Sequence, residues 1–329
     1  MTERPKRNEF DRIATYFAPL AAGFPGAYGL TDDAAVIAPA IGTELVVTTD
    51  TIVAGIHYIG DEAPGLVAAK LLRVNLSDLA AKGATPLAYT LNVAFPPSLD
   101  DDWVADFTAG LAVEQAEFGI ALIGGDSVST TGPVTLTLTA FGTVPAGGAI
   151  LRNGARPGDT VFVSGSIGDG ALGLKALQDR LPELLPEYRG CLVGRYQRPQ
   201  PRCILGPRLR GLAHAAADIS DGLVADLENI TDASGVAARI FAERVPLSEA
   251  AAAVLQDDPS LLANVLTGGD DYELVFAAPD SALAALNDLA REIGVPVTAI
   301  GRIEDGDGVT VLDSAGLPMA LTRLGYTHE

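Results

Sequence analysis

The sequence predicts an α/β or α+β fold divided into two domains. A length of 329 residues exceeds the usual size of one hydrophobic core, so two domains of ordinary dimensions are expected. Patterns typical of strands and of helices occur in both halves of the chain. The stretch PAGGAILRNGARPGD (145–159) is rich in Gly and Pro and follows a completed strand–helix pattern. We therefore place the domains at residues 1–148 and 149–329.

The elements of the first half follow from local patterns. Residues 10–24 have the pattern of a short amphipathic helix. A second helix begins at Pro64 and ends before a capping Gly83, and a third (100–118) begins with three aspartates suited to its positive end. Strands are predicted at 44–49, 88–94, 120–123 (ending in GGDS) and 134–144.

The second half continues the alternation of elements. A strand at 160–164 leads through the Gly-rich turn GSIGDGALG into a helix, and a later helix extends to Ile230. His214, in GLAHAAA, is interpreted as a residue packed on a helix. A strand at 272–278, a helix at 281–293 and a final hairpin turning at EDGDG (304–308) complete the chain.

Composition excludes several classes of protein. The net charge is −20 with only four lysines, so the basic stripe that nucleic-acid binding requires is absent. A hydrophobic fraction of 48% excludes a disordered protein. An acidic protein of this kind can still bind phosphates when metal ions supply the positive charge.

Location follows from the termini and the cysteines. The N-terminal residues MTERPKRNEF contain no apolar region, and no apolar stretch approaches the length needed to span a bilayer. Cys191 and Cys203 form no CxxC pair, which fits a reducing compartment. We therefore expect a cytoplasmic protein without a signal peptide or membrane segment.

Most standard catalytic signatures are absent. The chain has no P-loop, protein-kinase motif, GxSxG elbow or HExxH. GSIGDG (165–170) loosely resembles a phosphate loop, and we favour a tight strand–helix turn.

What remains is a recurring pattern of aspartates beside Gly, Ser or Thr, at the ends of apolar strands or inside apolar helices. These are Asp32, Asp33, Asp50, Asp78, Asp126, Asp218, Asp221, Asp270 and Asp271. Several have ordinary structural alternatives: Asp221 as the N-cap of a helix starting at Gly222, and Asp32, Asp126 and Asp270 as turn residues.

Asp78 has the strongest physical argument. It shares a helix face with Asn75 in a segment that is otherwise Leu, Val and Ala, and burying an unpaired carboxylate is costly. A metal ion or an ion pair with Lys82 would satisfy it, and for this residue alone the two are equally favoured.

The aspartates taken together favour Mg²⁺, which is usually held by a few carboxylates, water and substrate phosphates. Hydroxyls of Thr48, Thr49 and Ser220 are candidate additional ligands or phosphate donors. Arg152 is a candidate phosphate contact or a surface residue at the boundary, and His57 a surface or hinge residue. EDGDG is explained by its turn.

The motifs TDDAAV, TTDTIVAGIHY, KLLRVNLSDLAAKGATP, LIGGDS, LRNGARPGD, DISDGLVADL, GGDDYELVF and GYTHE, in this order, resemble those of the thiamine-monophosphate kinases. That family belongs to the superfamily of aminoimidazole-ribonucleotide synthetase. The resemblance implies a two-domain fold of that type, whose N-terminal domain binds ATP and Mg²⁺ and pairs in a homodimer. It also implies phosphorylation of thiamine monophosphate by ATP, assisted by several Mg²⁺ ions, giving thiamine pyrophosphate.

The resemblance also assigns residues by matching position. Metal-site residues are Asp33, Thr48, Thr49, Asp50, Asp78, Asp126, Asp218 and Asp221. ATP contacts are Gly125, Asp126, Arg152 and Ser220. Substrate contacts are His57, Asp270 and, as the nearest aromatic residue to the family's C-terminal contact, Tyr326, with Arg323 near it by spacing.

Two positions depart from the family pattern. Thr31 replaces a glycine before Asp32 and Asp33, which leaves both carboxylates in place. Asp270 stands where the family has a glutamate, one methylene longer, so charge is kept and reach is shortened.

Two other kinds of function are weighed against the kinase. Selenophosphate synthetase requires a reactive residue near the N-terminus, and no cysteine precedes Cys191; the hydrogenase-maturation relative requires a C-terminal cysteine, and the chain ends THE. A non-catalytic acidic metal- or nucleotide-binding protein is the alternative of a different class. No Ser–His–Asp set or activated cysteine stands out, which agrees with direct in-line attack by a substrate phosphate.

Overall fold

A computed structural model describes residues 8–181, 183–321 and 325. The chain forms two compact units. The first contains the described residues up to Leu79 together with Thr85–Ala146, and the second contains Ala80–Ala84 and the described residues from Gly147 onward. Both units mix helices and strands, which confirms the predicted α/β or α+β class.

The first unit contains a mixed sheet. Its strands are β1 (Thr43–Val53), β2 (Thr85–Phe95), β3 (Ala121–Ser129) and β4 (Thr135–Pro145), in the order β1-β4-β2-β3. β4 is antiparallel to β1 and to β2, whereas β2 and β3 are parallel. Burial alternates along β4, with Leu136, Leu138 and Ala140 fully buried, so the sequence alternation places one face on the core.

Two long helices accompany this sheet: α2 (Pro64–Ala81) and α3 (Asp101–Phe118), which connects the parallel strands β2 and β3. The Asp100 side chain caps α3 by accepting from the Trp103 amide at 2.8 Å. Arg73 of α2 is buried and donates to Glu114 of α3 at 2.6 Å, so a buried ion pair joins the two helices.

The second unit contains a six-stranded sheet. Its strands are β5 (Thr160–Ser164), β6 (Ala215–Asp218), β7 (Ala237–Phe241), β8 (Leu274–Ala278), β9 (Val297–Glu304) and β10 (Gly308–Leu312), in the order β10-β7-β9-β5-β8-β6. β10 and β7 are parallel, and the other neighbours are antiparallel.

Helices cover both faces of this sheet. They are α4 (Asp169–Leu177), α5 (Pro186–Gln197), α6 (Leu223–Ser234), α7 (Glu249–Asp257), α8 (Leu262–Thr267) and α9 (Leu283–Ile293). Val161 and Val163 of β5 share a buried cluster with Leu227 of α6, whereas Phe162 shares another with Leu286 of α9. The two-residue period of a strand therefore supplies a separate core to each face.

Three local predictions are wrong. The helix predicted at 10–24 is α1 (Glu9–Arg12), followed by a π-helical segment, Ile13–Phe17, and a 3₁₀ segment, Ala18–Ala21; Pro19 lacks the amide that a regular helix requires. The strand predicted at 120–123 extends through GGDS to Ser129. Tyr272 lies outside β8 and has a positive φ of 52°.

Two interpretations in the second half are also wrong. β9 and β10 do not pair with each other as a hairpin would. Both pair with β7, which lies between them, and EDGDG connects them across β7. His214 lies before β6 and not on a helix, and its Nδ1 lies 2.9 Å from Asp159 Oδ2. Within the described ranges, no helix has both the length and the apolar character needed to cross a bilayer.

Candidate functional site

The first group of predicted site residues joins β1 to α2. Thr48 and Asp50 lie two residues apart on the same face of β1, and the Thr48 hydroxyl donates to Asp78 Oδ2 at 2.5 Å. Burial and, second, the negative charge of Asp78 raise the pKa of Asp50 to about 7. A bound cation would stabilise the ionised form of Asp50 beside the second carboxylate, so this pair fits a Mg²⁺ site.

Thr49 has a different position from its neighbours. As the residue between Thr48 and Asp50, it presents its side chain to the opposite face of β1. Its hydroxyl donates to the Leu138 carbonyl at 3.2 Å and accepts from the Thr139 hydroxyl at 3.1 Å. The structure therefore does not bring this side chain to Asp50 and Asp78.

A second group of predicted residues lines a cavity of about 250 Å³ in the first unit. Asp33 and Asp126 both line it, beside Asp32, Glu9 and Gly125. Gly125 has a φ of +155°, and a Cβ there would lie 1.9 Å from the Leu91 carbonyl oxygen, so only glycine fits. The cavity therefore combines several carboxylates with a glycine whose backbone packs directly against the Leu91 carbonyl.

Sheet register separates these two groups. Asp50 pairs with Leu138, Leu138 with Leu91, and Leu91 with Gly125, so Asp50 and Gly125 lie in one row. Three strand spacings put their Cα atoms roughly 14 Å apart. In the described residues, no three His, Cys, Asp or Glu side chains form a group that could hold a metal ion. Carboxylates arranged singly or in pairs suit Mg²⁺ when phosphate and water complete its coordination.

His57 lies in the loop after β1, and its ring is oriented by the backbone. The Val53 amide donates to its Nδ1 at 3.1 Å. An accepting Nδ1 carries no proton, so in the neutral ring the proton is on Nε2. The ring is therefore set to donate from Nε2.

In the second unit, Asp218 ends β6, and Ser220 and Asp221 follow it. The interpretation of Asp221 as an N-cap is wrong, because α6 begins at Leu223 and its N-cap is Gly222. The amides of Ser220, Asp221 and Gly222 instead donate to one oxygen, Asp226 Oδ2, at 3.0, 3.0 and 3.1 Å.

Opposing effects act on the pKa of the Asp226 carboxyl. Burial raises its pKa to about 7, while the hydrogen bonds from the backbone and the positive charge of Arg152 oppose that shift. Arg152, a predicted ATP contact, therefore lies within electrostatic reach of the segment that holds Ser220.

Asp270 is tied to the same segment. Its amide donates to the Ser220 carbonyl at 2.9 Å, and its φ is +70°. The preceding Gly269 lies so close that a Cβ there would be 2.1 Å from the Ser220 oxygen. DISDG (218–222) and GGDDY (268–272) are therefore held together through their backbones.

Asp271, one of the aspartates of the recurring sequence pattern, and Glu273, which lies outside that pattern, are buried acidic residues. The Asp271 carboxylate accepts from the amides of Gly168 and Gly170 at 2.7 and 3.0 Å. The interpretation of GSIGDG as a strand–helix turn is confirmed, and two of its amides are already bonded to this carboxylate. Glu273 accepts from the Ser164 hydroxyl at 2.6 Å and from Arg195 at 2.8 Å, and it also pairs with Arg202.

One of the buried carboxylates of the second unit, Asp226, could have been predicted from the sequence. Asp226 interrupts the apolar helix LVADL in the same way that Asp78 interrupts α2, so the cost of burying a lone carboxylate would have selected it. The pattern included Asp271 but not Glu273, and the partners of both were not predictable because they lie about 70 to 110 residues away in sequence. Tyr326 and Arg323 lie outside the described residues.

Asp271 gives a prediction about pH. Burial raises its pKa to about 8, against the opposing effect of its two amide hydrogen bonds. The folded state therefore binds one proton more than the unfolded state between roughly pH 5 and 7, so stability falls as pH rises there. In urea unfolding at several pH values, the stability of the parent relative to Asp271→Asn should decline by up to about 1.4 kcal/mol per pH unit. A difference independent of pH would contradict the raised pKa.

Both halves of the chain are similar to known proteins. The family model for AIR synthase related protein matches in two parts, the N-terminal domain at residues 31–144 and the C-terminal domain at residues 156–314. Thiamine-monophosphate kinase of Caulobacter vibrioides is 44% identical over 323 residues, covering 97% of this chain and 90% of that protein.

Solved structures give the same relationship. The crystal structure of thiamine-monophosphate kinase from Stenotrophomonas maltophilia is 42% identical with a TM-score of 0.79, covering 86% of this chain and 89% of the other. AaThiL complexed with AMPPCP and TMP is 28% identical with a TM-score of 0.78, covering 92% and 97%. Both family models and these nearly full-length similarities lead to one assignment: the chain belongs to the thiamine-monophosphate kinase family of the AIR synthase related proteins.

Proposed function

We propose that this chain transfers the γ-phosphoryl group of ATP to the phosphate of thiamine monophosphate, giving thiamine pyrophosphate and ADP. The observation that carries the proposal is the 44% identity to a thiamine-monophosphate kinase over 97% of the chain. The half-buried Asp50–Asp78 pair and the carboxylate-lined cavity add a physical reason, because a polyphosphate needs cations to neutralise it.

The proposed chemistry is direct in-line transfer. A phosphate monoester dianion is itself a nucleophile, so the chain needs no strong general base. Asp33, Thr48, Asp50, Asp78, Asp126, Asp218 and Asp221 would hold several Mg²⁺ ions, with Thr49 assigned by family position. When bound, the ions would supply neutralisation of the phosphate charge. The remaining work of the chain is to orient the two phosphates and exclude water.

Nucleotide and substrate contacts are assigned to different residues. Gly125, Asp126, Arg152 and Ser220 are proposed for ATP. For thiamine monophosphate, His57 is suited to donate from Nε2, and Asp270 is fixed by its bond to Ser220. Tyr326 stays a proposal from sequence position.

The experiment is a coupled assay for ADP release with Mg²⁺ and ATP. Thiamine monophosphate should support turnover and free thiamine should not, because only the monophosphate carries the attacking oxygen. Calorimetry separates the alternative of a binding protein: ATP bound but not consumed in the presence of thiamine monophosphate and Mg²⁺ would favour that alternative.

We further propose that residues 1–148 form the ATP- and Mg²⁺-binding domain and pair in a homodimer. Edge strands β1 and β3 expose Val47 (57%) and Val128 (51%), and an apolar edge strand is suited to pairing with another chain. Sedimentation velocity at micromolar concentration should give twice the chain mass. A monomer at all concentrations would contradict this proposal.

A cytoplasmic location is also proposed. Cys191 and Cys203 are not joined by a disulfide, which fits a reducing compartment.

A further inference from the structure

The carboxylate of Asp226 in the second unit is buried and accepts several backbone hydrogen bonds. It is the fourth residue of α6, its side chain is about 1% exposed, and it reaches back over the start of its own helix. Three consecutive amides, those of Ser220, Asp221 and Gly222, donate to the same oxygen at 3.0 to 3.1 Å. Bonds from amides to a carboxylate are stronger than those between neutral groups, so this oxygen fixes the path of the segment.

The segment 220–222 is held from its other side as well. The Ser220 carbonyl accepts from the Asp270 amide at 2.9 Å, and the Ile219 carbonyl accepts from the Tyr272 amide at 2.8 Å. Asp226 therefore fixes a backbone segment to which both DISDG (218–222) and GGDDY (268–272) are hydrogen-bonded. These two motifs contain the residues assigned above to metal (Asp218 and Asp221), ATP (Ser220) and substrate (Asp270).

We propose that Asp226 is a positioning residue, whose carboxylate sets the backbone of residues 220–222 and, through Ser220, the position of Asp270. This inference rests on the proposed function, because it assigns a task to residues that the proposal places at the nucleotide. Asp226 bonds to backbone amides and has no assigned contact with the nucleotide. It acts through Ser220, Asp221 and Asp270.

The arrangement favours a positioning role over a purely structural one. An N-cap side chain satisfies amides at a helix start, and here Gly222 provides the N-cap without any side chain. The carboxylate is placed one turn inside the helix instead, where it reaches the amides of the two predicted site residues before the cap. A partner that orients a metal- or phosphate-binding group typically changes affinity by about 10- to 100-fold when replaced.

The test uses the full chain with Asp226→Asn, which keeps the size of the side chain and removes the charge. Binding of Mg²⁺ with a non-hydrolysable ATP analogue is measured by calorimetry. The dissociation constant should rise about 10- to 100-fold, and hydrogen exchange should accelerate in peptides covering 218–222 while β5 keeps its protection. The matched control is Asp232→Asn, an exposed aspartate of the same helix, which should bind as the parent does.

Contrary outcomes are distinct. Parental affinity in a folded Asp226→Asn variant overturns the inference, and so does weakened binding that accompanies faster exchange throughout the second unit. If Asp226→Asn does not fold, Asp226→Glu is measured in its place, and failure of both variants to fold makes Asp226 a folding residue and overturns the inference.

A parallel variant separates this inference from the proposed function. Unchanged analogue binding in Asp221→Asn contradicts the proposed role of the segment itself. Loss of binding in Asp221→Asn together with parental binding in Asp226→Asn overturns only the positioning role.

Discussion

Replacing Asp78 by Asn is expected to lower kcat for thiamine pyrophosphate formation by about 10²- to 10³-fold. Asp78 and Asp50 are the two carboxylates whose mutual repulsion a cation relieves, and the substitution removes half of that charge. The fold should persist, because the Asn carbonyl oxygen can still accept the hydrogen bond from the Thr48 hydroxyl. The measurement is the rate of ADP release at saturating substrates over a Mg²⁺ titration.

The matched control for Asp78 is Asp106→Asn, an exposed aspartate on α3. Its turnover and its Mg²⁺ dependence should equal those of the parent. Normal turnover in Asp78→Asn with an unchanged melting temperature would remove this residue from the metal site.

Glu273→Ala is expected to cost about 3 to 5 kcal/mol of stability, because it leaves buried charges without their partner. The Glu273 side chain is fully buried, and Arg195 and Arg202 beside it are only 12% and 13% exposed. The Ser164 hydroxyl also loses its acceptor, and this hydroxyl itself accepts from the Leu274 amide. Thermal unfolding followed by far-ultraviolet circular dichroism measures the change.

The chain supplies a matched arginine–glutamate pair at the surface. Arg208 bonds to Glu292 through two nitrogens, and the two side chains are 47% and 62% exposed. Glu292→Ala should barely change the melting temperature, since exposed pairs contribute little. Equal decreases in melting temperature for Glu273→Ala and Glu292→Ala would show that burial does not make the Glu273 ion pairs more important for stability.

Local patterns in the sequence predicted the elements and the acidic residues, but not long-range pairing. Alternation in VTLTLTAFGTV identified β4, and the cost of a carboxylate in an apolar helix identified Asp78. The same local view predicted a hairpin at EDGDG, since adjacent strand patterns with a turn between them usually pair. β7 lies between those two strands and comes from about 60 residues earlier, and no local pattern records that insertion.

The site shows the same limit. Asp33 and Asp126 were selected as aspartates beside Gly, Ser or Thr, and both line one cavity, to which β3 contributes Asp126 by continuing through GGDS. Glycine disfavours a strand, so the sequence predicted a break at that point. The N-cap alternative for Asp221 rested on its position before a helix, whereas the amides of residues 220–222 donate to Asp226 inside the helix. Local sequence patterns therefore identify which acidic residues are candidates for the site, but not the groups to which they are hydrogen-bonded.

The segment Ala80–Ala84 has a consequence for synthesis on the ribosome. It belongs to the second unit although residues on both sides of it belong to the first, and Ala80 and Ala81 share a buried cluster with Leu286 and Leu289. Those partners are translated roughly 200 residues later, a delay of roughly 10 to 40 s at ordinary elongation rates. The nascent first unit therefore carries Ala80 and Ala81 without these last partners until translation is nearly complete, whereas Ile150 and Phe162 of the same cluster are translated earlier. A message truncated after Ala146 yields a product in which they never acquire them.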